Sequence, residues 1–193
     1  MNEPKDKWNA RYRGATSIPE VAWVLLENHH LLPPQGKALD LACGLGGNTI
    51  WLAKRGLTVW AWDISDTAIA KLAASCANRG LKVCAEVRDL RMHPPEPERF
   101  DVIVVSHFLD RSLSSALIAA LRPKGLLFYQ TFIRDRVDNS GPRNPDFLLE
   151  QNELLRLFTP LRVIVYREEG CIGDITIGFR NKAMLVAQRQ AGQ

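Results

Sequence analysis

Seven short apolar runs, separated by turn-forming residues and helix-period segments, limit this chain more than any other feature. The runs are Lys37–Leu41, Leu57–Trp62, Leu81–Val87, Phe100–Val105, Leu126–Phe132, Arg162–Tyr166 and Ala183–Gln188. Helical patterns fill most of the gaps. They cover Asn48–Arg55, a stretch capped by Ser65 that carries Ala68, Ile69 and Leu72, then Ser112–Leu121 and Leu148–Phe158. Strands that alternate with helices predict βαβ units and a parallel sheet, because a parallel pair needs a crossover connection. The run FDVIVV is apolar on both faces and suits a central strand. Only the last connection, Glu168–Arg180, is too short for a crossover helix, so the final strand should run antiparallel.

Before the first strand come two further helical patterns, Lys5–Arg13 and Pro19–His30, the second ended by Leu32-Pro33-Pro34-Gln35-Gly36. The expectation is therefore an α/β fold: three layers, α/β/α and Rossmann-like, around a mostly parallel seven-stranded sheet with an antiparallel last strand. With 193 residues and 46% apolar side chains the chain can bury one substantial core, so we expect a single domain. Residues 1–36 precede the sheet, and 37–193 form the Rossmann-like core. No apolar run approaches the roughly 20 residues of a membrane helix. Cys43, Cys76, Cys84 and Cys171 make no C-x-x-C pair, which argues against a zinc site or a disulfide framework and for a reducing, cytoplasmic setting. A formal charge of +4 is spread along the chain without a basic arm, so nothing in the sequence calls for a nucleic-acid partner.

The stretch Asp40-Leu41-Ala42-Cys43-Gly44-Leu45-Gly46-Gly47 joins the first strand to a helix. Glycines there let a backbone pass close to a ligand at the helix N-terminus, although a turn of this kind can also serve packing alone. A pyrophosphate-binding reading meets two obstacles. Thr49 stands where the third glycine of G-x-G-x-x-G belongs, and the Asp40 carboxylate would repel a pyrophosphate. That carboxylate suits a cationic ligand instead.

These residues resemble the first motif of the class I S-adenosylmethionine-dependent methyltransferases, an acidic residue, a small residue and G-x-G, matched by Asp40, Ala42, Gly44 and Gly46. The resemblance implies S-adenosylmethionine as cofactor and S-adenosylhomocysteine as product. It puts Asp63 on both ribose hydroxyls, Ile64 against adenine, and Asp89 and Leu90 in the loop beside the adenine ring. Two vicinal hydroxyl donors suit one carboxylate acceptor. The set implied for the cofactor comprises Trp8, Arg11, Asp40, Ala42, Cys43, Gly44, Gly46, Asn48, Asp63, Ile64, Asp89, Leu90 and Ser106.

Trp8, Arg11 and Tyr12 share one helix face by i, i+3 and i+4 spacing. Ahead of the glycine motif, W-x-x-R-Y resembles the tellurite-resistance and thiopurine-type small-molecule methyltransferases. By that likeness residues 1–36 form a helical lid, and Arg11 grips the methionyl carboxylate with two parallel hydrogen bonds.

The reaction implied is in-line displacement at the sulfonium by a small-molecule acceptor, a thiol, chalcogen oxyanion or similar metabolite. An amine or hydroxyl acceptor would need a base, for which His107 is the candidate; Arg143, in the polar loop 133–146, is the candidate substrate contact. No metal is implied, and a monomer or homodimer would suffice. Two rivals share the layout, an RNA-directed methyltransferase and an NAD-dependent oxidoreductase. Against base N-methylation, His107-Phe108-Leu109-Asp110 stands where N-P-P-[YF] would be. A noncatalytic cofactor-binding subunit is a further alternative.

Overall fold

The computed structural model describes residues 3–192. Its strands are β1 (Lys37–Leu41), β2 (Thr58–Asp63), β3 (Val83–Val87), β4 (Phe100–Ser106), β5 (Leu121–Phe132), β6 (Arg162–Glu168) and β7 (Lys182–Gln188). They form one sheet in the order β3-β2-β1-β4-β5-β7-β6. β7 pairs antiparallel with both β5 and β6, while the pairs among β1 to β5 are parallel. This is the expected three-layer sheet with its antiparallel last strand.

The helices are α1 (Glu3–Arg13), α2 (Trp23–Glu27), α3 (Gly47–Ala53), α4 (Asp66–Ala77), α5 (Ser114–Ala120) and α6 (Glu153–Leu157). Strand alternation divides the core between two faces. Leu39, Leu41, Ile103, Val105, Leu127 and Tyr129 pack with Leu117 of α5 and with Leu154 and Phe158 at α6. On the opposite face Ala38, Val59, Val102, Val104 and Phe128 meet Val24 and Leu25 of α2 and Leu52 of α3. Ile50, Ile69, Leu72 and Cys76 extend that layer between α3 and α4. Ser65 caps α4, its Oγ accepting from the Ala68 amide at 3.1 Å, as its position before Asp66 suggests.

Two expected helices are shorter than the sequence pattern indicates. In place of a helix over Pro19–His30 the chain is helical only from Trp23 to Glu27, followed by a 3₁₀ turn at His29–Leu31. Long-range hydrogen bonds take the amides that would open the longer helix: Ala22 donates to Asn48 Oδ1 and Val24 to Gln130 Oε1, both at 2.9 Å. The helix over Leu148–Phe158 likewise begins only at Glu153. Leu149 is drawn to the end of β5, donating to the Phe132 carbonyl and accepting from the Arg134 amide, each at 2.9 Å. Strand β5 starts earlier than expected, because Leu121 pairs with Phe100 ahead of a bulge. Among the described residues no helix is long and apolar enough to cross a membrane.

Candidate active site

At the carboxyl end of β1 the chain turns through left-handed backbone at Ala42 (φ 55°), Gly44 (φ 53°) and Gly46 (φ 81°) before α3 begins. Hydrogen bonds from Cys43 N to the Trp62 carbonyl at 3.0 Å and from Gly46 N to the Cys43 carbonyl at 2.9 Å fix the turn. Space as well as conformation requires glycine here. A side chain at Gly46 would collide with Leu72, and one at Gly47 with the Pro19 carbonyl. Gly44 faces the Tyr12 hydroxyl, which would stand 2.8 Å from an added Cβ.

Asp63 ends β2 beside this turn and is only 5% exposed. Its two carboxylate oxygens accept from the backbone amides of Gly44 and Ser65, each at 2.9 Å. Burial raises its pKa, and the amide bonds oppose that shift. Each oxygen keeps a lone pair beyond these bonds, so the carboxylate can accept from two further donors. Asp40 lies deeper, 1% exposed, with Oδ2 accepting from Thr49 Oγ1 at 2.6 Å. Its Oδ1 is buried without a hydrogen-bond partner among the described residues. Desolvation lifts the pKa of Asp40 to about 6 against the Thr49 hydrogen bond.

Helix α1 lies across α4 and covers the turn. Asn9 Oδ1 accepts from Ser65 Oγ at 2.6 Å and from Thr67 N at 3.2 Å, and Lys5 pairs with Asp66 at 2.9 Å. Lys71 of α4 donates to the carbonyls of Tyr12, Arg13 and Ala15 at 2.8, 2.9 and 2.7 Å, placing a cation at the negative end of α1. On α1 itself Trp8 and Tyr12 stack with ring centroids 5.7 Å apart, and the Arg11 guanidinium lies 5.3 Å from the Trp8 ring. Burial and the nearby Asp63 raise the Tyr12 pKa, keeping the phenol protonated.

Residues 38–125 match the family model described as a methyltransferase domain. Over that stretch the chain is similar to a methyltransferase domain. Its fold is similar along almost its whole length to a protein solved in work on the conversion of a disulfide bond into a thioacetal group during echinomycin biosynthesis. That likeness has a TM-score of 0.73 and 25% identity, and covers 98% of this chain and 94% of the other. TehB from Haemophilus influenzae shares the fold at a TM-score of 0.71 and 22% identity, over 96% of this chain and 67% of that one. Solved S-adenosylmethionine-dependent methyltransferases from Mesorhizobium loti and Aquifex aeolicus share the fold too, at 19% and 16% identity. A curated relative, the ribosomal RNA small subunit methyltransferase C of Alcanivorax borkumensis, is 32% identical over 113 residues, 53% of this chain. The chain spans only 34% of that relative's length.

The other residues singled out from the sequence have distinct surroundings. Asn48 is buried and bridges elements, its Oδ1 taking the Ala22 amide and its Nδ2 donating to Ser106 Oγ at 2.9 Å. Ser106 closes β4, and His107 follows in left-handed backbone, φ 56°, with its amide bonded to the Gln130 carbonyl. Part of His107 is open to solvent, while its ring lies 5.3 Å from that of Phe132. Partial burial of the ring, then the Lys182 ammonium, lowers its pKa to about 4. Ile64 is half-buried beside Asp63, Cys43 is buried with its thiol pKa raised, and Leu90 belongs to the core. Asp89 caps a turn, Oδ1 accepting from Arg91 N at 3.1 Å, and lines an open cleft with Glu86, Val87, Arg88, His93 and Glu96. Arg143 is exposed on the polar loop, and among the described residues no contact ties it to the glycine turn or to His107.

Sequence reasoning missed several residues that shape this edge. Asn9 and Lys71 dock α1, and Gln130 holds the start of α2; each looks like an ordinary surface or strand residue until its distant partner is known.

Proposed function

We propose that this chain transfers a methyl group from S-adenosylmethionine to a small-molecule acceptor at the carboxyl edge of the sheet. One observation carries the reading: Asp63 is buried at the tip of β2 with both oxygens anchored by the amides of Gly44 and Ser65. A carboxylate so fixed is ready to accept from vicinal ribose hydroxyls. The donor set beside it fits the remainder of the cofactor. Asp40, with its orphaned Oδ1, supplies negative charge toward an ammonium or sulfonium. Ala42, Cys43, Gly44 and Gly46 offer close backbone approach, while Ile64, Asp89 and Leu90 flank the adenine position. Asn48 at the start of α3 and Ser106 at the end of β4 tie these two elements together. Trp8 and Arg11 on α1 close over the methionyl end, and the lid excludes water.

When bound, S-adenosylmethionine supplies a methyl group already made electrophilic by its sulfonium. What remains for the protein is to hold an acceptor lone pair in line with it. His107, neutral above a pH of about 4, is free to take a proton from an acceptor that carries one. Arg143 is assigned a contact with the acceptor on the loop after β5.

A second reading, methylation of RNA, is favoured by the 32% identity to an enzyme named for ribosomal RNA. Incubating the protein with methyl-labelled S-adenosylmethionine and either a set of small thiols, oxyanions and carboxylates or bulk RNA separates the two. Label in a small molecule is the expected result; label in RNA alone would replace the acceptor class and keep the cofactor site.

A further inference from the structure

Trp23, Gly178, Phe179, Arg180 and Lys182 line an open cleft of about 270 Å³ beside α2. We propose that this cleft is the acceptor subsite and that it takes a small organic anion, with the Lys182 ammonium holding the anionic group and the Trp23–Phe179 pair forming an aromatic wall. The assignment rests on the methyl-transfer reading above.

Position comes first. Lys182 opens the antiparallel β7 opposite Phe132, the last residue of β5, so it stands at the carboxyl edge of the parallel strands. Its Nζ lies 5.3 Å from the centroid of the Phe132 ring, and the His107 ring lies 5.3 Å from the same ring. The cleft cation and the residue that follows β4 therefore share one aromatic neighbour. A ligand anchored on Lys182 sits at the edge of the strand tips, where doubly wound sheets place their chemistry.

The two cleft cations use their donors differently. Arg180 spends its guanidinium on carbonyls of its own loop, those of Ile177, Gly170, Ile172 and Asp174, at 2.7 to 2.9 Å. It organises the β6–β7 connection. Lys182 is half-buried, and among the described residues no oxygen accepts from it; the Phe132 ring is its neighbour. Burial accordingly lowers its pKa, the response of an ammonium without a counter-charge. The Glu169 carboxylate near the cleft does not serve, since it is engaged by Arg167 and by the Phe179 amide and lies 3.6 Å from Arg180.

The wall completes the site. Trp23 stacks on Phe179 with centroids 5.8 Å apart at 25°, yet remains 47% exposed, an unusual fraction for tryptophan in a folded domain. Its free surface offers contact to a flat apolar body. A volume at the small end of ligand pockets limits that body to about one ring.

The test uses the full-length protein, isotope-labelled, titrated with benzoate and with its neutral analogue benzamide, in the presence and absence of S-adenosylhomocysteine. Binding is read from the Lys182 amide and the Trp23 indole N–H, the latter identified with Trp23→Phe. Benzoate should shift both signals saturably and bind about tenfold more tightly than benzamide, the scale of one hydrogen bond to a charged group. Lys182→Met should remove that preference while leaving benzamide and S-adenosylhomocysteine affinities within twofold, and Lys182→Arg should largely restore it. Equal affinities for the two probes, benzoate binding unaltered in Lys182→Met, or shifts confined to another surface would each overturn the assignment. Failure of S-adenosylhomocysteine to bind, with the charge preference intact, would instead count against the methyl-transfer reading.

Discussion

At the tip of β2, Asp63 accepts two backbone amides and keeps lone pairs for a ligand, whereas Asp40 has one satisfied oxygen and one orphaned. His107 complements these acids with the opposite sign. A histidine whose folded pKa lies near 4, below its ordinary 6.5, favours the neutral ring in the folded protein. Its contribution to stability is therefore complete above pH 6.5 and is lost as pH falls toward 4. Following the His107 ring protons by NMR should show a neutral imidazole down to about pH 5. Any loss of activity between pH 8 and 6 would then belong to another group, and a midpoint near 6.5 would contradict the lowered value. Legibility at this scale was uneven. The glycine turn and Asp63 could be found because covalent spacing and backbone conformation carry their signal. Lys182 could not, since a lysine at a strand start says nothing about what lies over Phe132 until the sheet is closed.

Among the elements, α1 depends most on contacts far away in sequence. It is a polar helix attached through Asn9, Lys5 and the Lys71 ammonium, which caps three carbonyls at its end. Lys71→Met removes the cap without touching the sheet. We expect about 1–2 kcal/mol of lost lid docking, a partly screened charge-assisted cap. Amide exchange in α1 should accelerate about tenfold while β1 and β4 stay protected, and cofactor affinity should drop several-fold. Unaltered exchange in α1 would show that other contacts hold the lid. The central strands β1, β4 and β7 were readable because their apolar runs are buried nearly throughout, and the edge strands β3 and β6 by their spacing between turns. Helices α2 and α6 were overestimated for one shared reason. At their edges, amides of Ala22, Val24 and Leu149 found partners far away along the chain, and such long-range bonds leave no periodic trace in the sequence.

For the molecule as a whole, the strand order β3-β2-β1-β4-β5-β7-β6 gathers these parts on one edge. The direction of winding reverses between β1 and β4, and crevices at such a switch point are where open α/β sheets bind ligands. The glycine turn, Asp63, Ser106 and His107 all stand at carboxyl ends of parallel strands, and the antiparallel β7 brings Lys182 to the same edge. Cofactor recognition through Asp63 is the claim on which the rest depends. Calorimetric titration with S-adenosylhomocysteine should give one saturable site in the native chain, and affinity about 30-fold weaker or worse in Asp63→Asn, corresponding to about 2 kcal/mol of lost charge-assisted hydrogen bonding, with the thermal transition retained. No binding heat in the native chain, or equal affinity in a folded Asp63→Asn protein, would contradict it.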